Sequence, residues 1–406
     1  MPMITYLRRR AGAACAILLG LSADPTCDLL LRCAGATPVE WAAAVAVAIW
    51  VYLLAGRGFF WWMREAKLAD APPPPRRVAV VIPARNEAGV VGKAVASMVA
   101  QEYPGPFEVI LVDDHSTDAT ATVAQQAGAR VLAAGPLPEG WTGKLWALSE
   151  GLREAARSKP EYFLLTDADI VHDPGNLAQL VALAEAHSYD LASLMVQLRS
   201  ETVAEKALIP AFVFFFLKLY PPRWIVSGRH ATAGAAGGCV LIRRAALDRC
   251  GGMEVIRGAL IDDCALARAV KRSGGRIWMG LSCTTHSIRE YGTFAEIGRM
   301  IARSAFTQLD YSPLQLAGTV AGMLAMYALP PALALGFGSK LAALAWLMMI
   351  AAYLPVLRLY RLSPLWALAL PLVALFYTAA TVWSALNYWR GRGGAWKGRA
   401  QARRPR

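Results

Sequence analysis

Two aspartates one residue apart, Asp167 and Asp169, are the residues of this sequence that most directly suggest chemistry. They follow the apolar run Tyr162–Leu165 in the stretch YFLLTDADIVHDP. Two carboxylates this close repel each other, and partial burial at the end of a strand strengthens the repulsion. Acids in this position can cap the next helix, or they can hold a metal ion between them. The pair alone does not decide between a cap and a metal site.

Polar groups also follow two earlier apolar runs of the chain. RVAVVIPA is followed by residues 85–87 (RNE), and FEVILV is followed by residues 113–116 (DDHS). Each group alone is weak, because acids at strand ends are common as helix caps. Three such groups, in order on one sheet, predict a single ligand site.

Alternating strands and helices must position these groups. Strands are predicted at RVAVVIPA, FEVILVDD, ARVLAA and YFLLTDAD, and helices at 89–101, 117–127 and 143–157. Continuous apolar runs that alternate with helices indicate a parallel sheet in an α/β layer fold. Ligands of such sheets collect at the carboxyl ends of the strands, where all three polar groups are predicted to lie.

The composition points to a membrane protein. The chain has 406 residues, of which 56% are hydrophobic, and most of its acids lie in 77–305. The formal net charge of +13 is better explained by anionic lipid headgroups than by nucleic acid, because the basic residues cluster beside apolar spans. The seven cysteines form no CxxC pair and no zinc spacing, which favours reduced thiols over a disulfide framework.

Apolar segments long enough to cross a bilayer flank the acid-rich domain. The predicted organisation is an N-terminal extension or short anchor at 1–38, a transmembrane helix at 39–63, a linker at 64–76, a catalytic domain at 77–305, C-terminal transmembrane helices at 313–388 and a basic tail at 389–406. Residues 1–38 also resemble a signal peptide, but its cleavage would export a domain that we expect to use a cytosolic substrate.

Basic residues predict the orientation of the domain. Lys and Arg follow the first span, which predicts that the domain lies on the cytoplasmic side of a bacterial-type inner (plasma) membrane. Three apolar segments follow residue 312, near 314–337, 341–357 and 365–386. Three complete crossings would leave the basic tail outside, although its charge predicts an inside position. A re-entrant or in-plane segment would resolve this conflict.

Taken together, "VVIPARNE…VDDHSTD…GK…LLTDAD…IDD" resembles the family 2 glycosyltransferases of GT-A fold over about residues 77–305. The resemblance implies a Rossmann-like mixed sheet that binds a nucleotide diphosphate sugar. Glu87 and Asp114 would hold the base and ribose of a UDP-sugar, and Asp169, joined by His286, would bind Mg²⁺ or Mn²⁺ at the diphosphate. The nucleotide-sugar-binding residues that it implies are Pro83, Ala84, Arg85, Glu87, Asp113, Asp114, Lys144, Asp167, Gly238, Asp262 and Arg303.

The same resemblance implies a catalytic base in the segment GALIDDCALARAV. Asp262 stands where the family carries Glu, and Asp263 matches the carboxylate that takes the acceptor hydroxyl's proton in an inverting transfer. The alternative is that both acids only cap a helix through its dipole. Residues 300–304 read MIARS where membrane polymerases of the family carry Gln-x-x-Arg-Trp, so we expect transfer of a single sugar.

The acceptor is expected to be a lipid. Residues 207–224 form an apolar stretch, either an in-plane element that delivers a lipid to Asp263 or a buried core helix. The segments PARNEA, DDHSTD, GWTGKLWAL, LLTDADIVH and REYGTFAEIGRMIARSAF resemble the hopene-associated glycosyltransferases of bacterial hopanoid synthesis. That resemblance implies a hopanoid or polyisoprenoid acceptor.

Three other functions fit parts of the sequence. A polyprenyl-phosphate sugar synthase or other glycolipid synthase keeps the chemistry and changes the acceptor. A haloacid-dehalogenase-type phosphohydrolase would use Asp167 as its nucleophile, but the strands and polar groups before YFLLTDAD are foreign to that family. A silent membrane scaffold would leave the ordered acids unexplained.

Overall fold

The computed structural model of the protein describes residues 37–68, 72–396 and 399–402. The predicted N-terminal extension therefore lies almost entirely outside the described residues, as does the end of the basic tail.

Eight strands form one mixed sheet at the centre of the catalytic domain. They are β1 Val78–Ala84, β2 Phe107–Asp113, β3 Arg130–Ala133, β4 Tyr162–Thr166, β5 Ile170–His172, β6 Leu191–Gln197, β7 Cys239–Arg243 and β8 Ile277–Ser287. Their order is β3-β2-β1-β4-β7-β6-β8-β5. The first four strands in this order run parallel to one another, as predicted. Strand β7 runs antiparallel to both β4 and β6. The sheet is thus parallel in one half and mixed in the other.

Helices cover the sheet and extend away from it. They are α1 Pro38–Val51, α2 Val91–Val99, α3 Thr120–Gln126, α4 Gly143–Ala155, α5 Asn176–His187, α6 Val203–Leu219, α7 Pro222–Val226, α8 Arg244–Arg249, α9 Asp262–Arg272, α10 Phe294–Ser304, α11 Pro313–Met323, α12 Leu329–Phe337, α13 Lys340–Leu359 and α14 Leu370–Trp389. A short antiparallel hairpin, β9 Gly393–Trp396 and β10 Arg399–Ala402, follows.

The central strand β1 separates two hydrophobic cores. All seven of its residues are buried, and successive side chains of a strand point to opposite faces. Val78, Val80 and Ile82 pack in one core, and Ala79 and Val81 pack in the other. This two-sided burial explains why the strand is a continuous apolar run.

Helix α4 starts at the carboxyl edge of the sheet. The Thr142 hydroxyl caps it by accepting a hydrogen bond from the Leu145 N–H at 3.4 Å. The helix lies close to the sheet, because a Cβ added at Gly151 would come within 2.4 Å of Val81. The cap and the close packing hold Lys144, in the first turn, over the ends of β1 and β4.

Among the described residues, four helices are long and apolar enough to cross a membrane: Pro38–Gly56, Pro313–Phe337, Lys340–Leu359 and Pro364–Trp389. One precedes the catalytic domain and three follow it, as the sequence predicts. The first ends at Gly56 rather than near residue 63, so the aromatic residues 59–62 lie in the turn that follows the helix.

Helix α6 joins the catalytic domain to these helices. Of its 17 residues, 11 are buried. The Phe214 ring lies 5.2 Å from that of Tyr353 in α13, and the Phe215 ring lies 4.8 Å from that of Tyr377 in α14. The stretch 207–224 therefore covers most of α6 and the start of α7, and the burial of α6 favours the core interpretation over an in-plane element.

Candidate active site

The carboxyl ends of the parallel strands surround a cavity of about 600 Å³, which we call the charged cavity. It contains side chains from the ends of β1, β4 and β8 and from the starts of α4 and α9. Most of the predicted nucleotide-sugar residues line it: Pro83, Arg85, Glu87, Lys144, Asp167, Gly238, Asp262 and Arg303, together with Asp169. The groups after β1 and β4 thus line one cavity, whereas the group after β2 does not line it.

Three predicted residues lie beneath this cavity rather than on its wall. Asp114 is 1% exposed, and its backbone carbonyl accepts a hydrogen bond from Arg85 Nη1 at 2.6 Å. Asp113 closes the turn after β2 by accepting from the Ser116 N–H at 3.2 Å. Ala84 is buried in the sheet. In this structure these residues shape the floor on which Arg85 lies.

Lys144 connects two of the carboxylates. Its Nζ lies 2.8 Å from an oxygen of Asp167 and 3.1 Å from an oxygen of Asp262. Burial opposes the charge, but both carboxylates raise the pKa of Lys144 above its ordinary value. Burial also raises the pKa of Asp167, although Lys144 opposes that shift. The lysine is a protonated bridge between the end of β4 and the start of α9.

Arg289, which the sequence analysis did not identify, connects two further carboxylates. Its Nη2 donates to Glu87 at 2.7 Å and its Nε donates to Asp169 at 3.1 Å. The Ser287 hydroxyl also donates to Asp169, at 2.7 Å. Burial lowers the pKa of Arg289, but Asp169 and Glu87 raise it and the net shift is upward. The repulsion between the two aspartates of the DAD sequence is thus relieved by one protein cation on each.

The structure does not bring His286 to Asp169. His286 pairs with Val171 across the β5–β8 ladder, and the next residue, Ser287, contacts the carboxylate. Within the described residues, Ser287 and Arg289 contact the Asp169 carboxylate, and no hydrogen bond or ion pair joins it to His286. The histidine ligand implied by the family resemblance therefore stays a prediction.

Asp167 and Asp169 fit a metal ion whose other ligands come from the substrate and from water. Within the described ranges, no group of three His, Cys, Asp or Glu side chains could hold a metal ion. Mg²⁺ is commonly bound through one or two carboxylates, with substrate phosphates and water as the other ligands. Asp167 and Asp169 are the carboxylates that could take part in that arrangement.

Asp263 follows Asp262, which lines the charged cavity, but does not itself line that cavity. One of its oxygens accepts from the Gly237 N–H at 2.8 Å and the other from its neighbour Cys264 N–H at 2.7 Å. Burial and the adjacent Asp262 raise its pKa to about 6. A carboxylate with a raised pKa is better matched to general-base catalysis near neutral pH.

A second cavity of about 680 Å³, the apolar cavity, begins at Asp262 and Asp263 and runs between α6 and the membrane-type helices. Its other walls are mostly aromatic, aliphatic and small side chains: Phe212, Phe215, Phe216, Gly318, Gly322, Met323, Met326 and Tyr377. The two cavities meet, because Lys144, Asp167, Leu260, Asp262 and Arg303 line both. No sequence pattern predicted this junction, since its residues come from distant segments.

Together, a half-parallel mixed sheet and a cavity of paired acids and cations at its carboxyl edge define a GT-A type of nucleotide-sugar-binding domain. A solved mannosyltransferase from Pyrobaculum calidifontis, in complex with GDP-Man and Mn²⁺, superposes with a TM-score of 0.51 at 20% identity, covering 86% of this chain and 99% of its own. That likeness shows a shared fold.

Residues 74–307, more than half of the chain, match the family model described as "Glycosyltransferase like family 2", and the chain belongs to this family. The membership removes the haloacid dehalogenase alternative for this domain. A 4,4'-diaponeurosporenoate glycosyltransferase from Staphylococcus aureus (strain USA300) is 34% identical over 96 residues, which is 23% of this chain and 24% of that protein. The match thus spans about a quarter of that relative's length.

Proposed function

We propose that this chain is a membrane-bound inverting glycosyltransferase that moves one sugar from a nucleotide diphosphate sugar to a lipid acceptor. The single observation that carries the proposal is the junction of the charged cavity with the apolar cavity at Lys144, Asp167 and Asp262. Polar donor and apolar acceptor would enter from opposite sides, and the sugar would lie where the two cavities meet.

The charged cavity suits the donor. Lys144, Arg289 and Arg303 supply positive charge for a diphosphate, and charge-assisted hydrogen bonds are the strong ones. The Arg85 Nε is a buried donor without a hydrogen-bond partner in the described chain, so it is available to a nucleotide. We propose a UDP-sugar as donor. The Pyrobaculum enzyme was solved with GDP-Man, so both nucleotides belong in the test.

A divalent ion would assist departure of the nucleotide. Asp169 and Asp167 would hold Mg²⁺ or Mn²⁺, which when bound neutralises negative charge on the diphosphate. The protein cations next to these acids would then turn toward the phosphate oxygens, because they are the groups that balance the same carboxylates in this structure.

Asp263 would act as the base. As the acceptor oxygen bonds to the anomeric carbon, Asp263 takes the hydroxyl proton, and the bond from that carbon to the diphosphate breaks with its electron pair leaving on the nucleotide. Attack from the face opposite the leaving group inverts the anomeric carbon. The N–H groups of Gly237 and Cys264 hold the carboxylate in one orientation, which supports this role.

The apolar cavity suits a lipid, because its walls come from α6 and from helices that are apolar enough to span a membrane. We propose a hopanoid or polyisoprenoid acceptor, a plasma-membrane location and a cytoplasmic catalytic domain. A polyprenyl-phosphate sugar synthase, or another glycolipid synthase, is the alternative that uses the same two cavities.

The testing experiment is a donor screen with the purified protein in nanodiscs. Labelled UDP- and GDP-sugars are offered with a lipid extract, with Mn²⁺ or with EDTA, and both the released nucleoside diphosphate and the label in the lipid fraction are measured. We expect Mn²⁺-dependent labelling of lipid. Release of nucleotide without labelled lipid would contradict a lipid acceptor.

Gly318→Phe provides a matched structural test. A Cβ at Gly318 meets no atom within 4 Å and projects from a residue that lines the apolar cavity, so a phenyl ring would fill space needed by the lipid. We expect lipid labelling to fall about tenfold or more, equal to at least about 1.4 kcal/mol, with unchanged donor binding. Gly336→Phe is the control, because it is equally open on the same apolar segment but lies away from the cavity.

A further inference from the structure

A lysine lies in the wall of the apolar cavity. Lys218, in the last turn of α6, lines it beside Phe215. Its Nζ donates to the Tyr327 hydroxyl at 3.0 Å and lies 5.1 Å and 4.9 Å from the ring centroids of Phe215 and Tyr327. An ammonium among membrane-type helices is costly, and ionisable residues in such places are commonly functional.

In the part of the chain that the structure describes, no carboxylate forms an ion pair with Lys218. Burial, and secondly the positive charge of Arg57, lower the pKa of Lys218 to about 7. Arg57 is close enough for its Nε to donate to the Lys218 backbone carbonyl at 3.0 Å. Two cations therefore lie near one end of an apolar cavity, where an anion would relieve both.

Other cations near the two cavities are held by several partners each. Lys144 and Arg289 each contact two carboxylates. Lys271 donates to four backbone carbonyls between Trp224 and Thr232. An ammonium group has three N–H donors, and Lys218 has a single hydrogen-bond acceptor in the described chain, a hydroxyl. Unlike Lys144 and Arg289, Lys218 has no carboxylate partner in the described chain, and two of its N–H donors are left for a ligand.

We propose that Lys218 binds an anionic group, a carboxylate or a phosphate, carried by the lipid acceptor. The assignment rests on the proposed function of the apolar cavity and narrows its substrate class from lipids to anionic amphiphiles. The chain of such a lipid would lie along Phe212, Phe216, Met323 and Met326, which line the same cavity. Its anionic oxygens would complete the hydrogen bonds of the ammonium and restore its charge.

Three probes with the same apolar chain and different head groups test this assignment: farnesyl phosphate, farnesoic acid and farnesol. Their binding to the wild-type chain is measured in phosphatidylcholine nanodiscs by native mass spectrometry. We expect both anions to bind at least about tenfold more tightly than the alcohol, a factor that corresponds to about 1.4 kcal/mol. Equal binding of all three would overturn the proposal.

Lys218→Met should remove the preference and leave farnesol binding unchanged, because replacement of a buried charge by an apolar side chain of similar volume is often tolerated. Lys218→Arg should keep it. Lys206→Met is the control on the same helix, outside the cavity. A Lys218→Met variant that still prefers the anions would also overturn the assignment. If the methionine variant does not fold, Lys218→Gln gives the same comparison.

The wider proposal fails in a different way. If none of the three probes binds, and Gly318→Phe leaves lipid labelling unchanged, the apolar cavity is not an acceptor site. A bilayer headgroup is tested by adding phosphatidylglycerol to the nanodiscs: loss of the farnesyl phosphate preference would assign Lys218 to bulk anionic lipid and overturn the acceptor assignment, and persistence would support it.

Discussion

The charged cavity and the apolar cavity recognise ligands by different physical means. In the charged cavity, carboxylates and cations are arranged in alternation, so that Asp167, Lys144 and Asp262 form one ion-paired chain and Glu87, Arg289 and Asp169 form another. The apolar cavity has aromatic and aliphatic walls. A donor would thus be recognised through charge, and an acceptor mainly through burial of apolar surface.

Because the two cavities differ in this way, mutations should be able to alter donor binding and acceptor binding separately, even though the cavities meet. A change on the outer side of the charged cavity should alter donor binding alone. A change on the outer side of the apolar cavity should alter acceptor binding alone. Only residues at the junction should alter transfer while both substrates still bind.

Asp169→Ala is expected to have the largest effect and to act on the charged cavity alone. It removes a carboxylate that would hold the metal ion and leaves Arg289 with one partner fewer. We expect Mn²⁺-dependent donor binding to be lost and transfer to fall by about a hundredfold or more. Isothermal titration with a nucleotide sugar, with and without Mn²⁺, measures the first effect.

The acceptor side should not respond to that change, so farnesol binding by Asp169→Ala should equal that of the wild type. Asp173→Ala is the matched control, because Asp173 is exposed on the loop after β5. If Asp169→Ala bound donor normally with Mn²⁺, Asp169 would not be a metal ligand.

Asp263→Asn tests the junction. We expect transfer to fall by about 10²–10⁴-fold, the usual contribution of a general base, while donor and acceptor still bind. Because the pKa of Asp263 is raised to about 6, the carboxyl is protonated and inactive as a base below that pH. The wild-type rate should therefore rise as the pH increases through about 6.

The residual rate of Asp263→Asn should lack this rise, and the pH profile separates a base from a residue that only holds the loop at Gly237. Normal transfer by the variant, or a profile with the wild-type inflection, would remove Asp263 as the base.

Arg289→Gln should have a smaller effect, on stability. It leaves Glu87 and Asp169, whose side chains are 10% and 12% exposed, without their shared cation. We expect a loss of about 1–2 kcal/mol, reduced from the value for a fully buried pair because Arg289 is 30% exposed. Mn²⁺ should recover part of that lost stability by neutralising the charge of Asp169. The measurement is the thermal unfolding midpoint of Arg289→Gln with and without the metal.

Arg299→Gln is the control for this stability experiment, because Arg299 also lines the charged cavity and none of the ion pairs of the described chain includes it. Equal destabilisation of both variants, or no response of Arg289→Gln to Mn²⁺, would show that the Glu87–Arg289–Asp169 bridge is not the balancing element we infer.

The charged cavity could be predicted from the sequence more fully than the apolar one. Strand periodicity placed β1, β2 and β4 in a parallel arrangement, and parallel strands bring their carboxyl ends to one edge. That reasoning alone gathered Glu87, Asp167 and Asp169 into one region. It did not identify the antiparallel strand β7, because a buried strand reads as the same apolar run whichever way it pairs.

Two of the cations, Arg289 and Lys218, could not be found in this way. Arg289 is about 120 residues from Asp169 in sequence, and nothing in its neighbourhood distinguishes it from a surface arginine. The facing of His286 depends on strand register, and a shift of one residue exchanges the two faces. Lys218 looked like one of the few cations of an apolar stretch, and its position in a cavity follows from how α6 packs against α13 and α14.

Glu205→Gln is expected to have the smallest effect on transfer, because Glu205 lines neither cavity, and it tests how firmly the two cavities are held together. Glu205, at the start of α6, is fully buried and accepts hydrogen bonds from the N–H groups of Glu201, Thr202 and Tyr291, each at 2.8 or 2.9 Å. It thereby joins the helix of the apolar cavity to the segment that follows β8. Glutamine replaces one acceptor oxygen with an amide donor, so we expect destabilisation of about 2 kcal/mol near pH 7.

The pH dependence identifies the cause. Burial raises the pKa of Glu205, but its backbone partners and Arg199 lower it and the net shift is downward. The stabilisation is therefore complete above the ordinary glutamate pKa and disappears as the pH falls through the lower pKa of the folded state. The difference in unfolding free energy between wild type and Glu205→Gln should stay constant from pH 7 down to the ordinary glutamate pKa and shrink below it. A difference that also stays constant below that pKa would mean that shape, rather than charge, holds α6 against the catalytic domain.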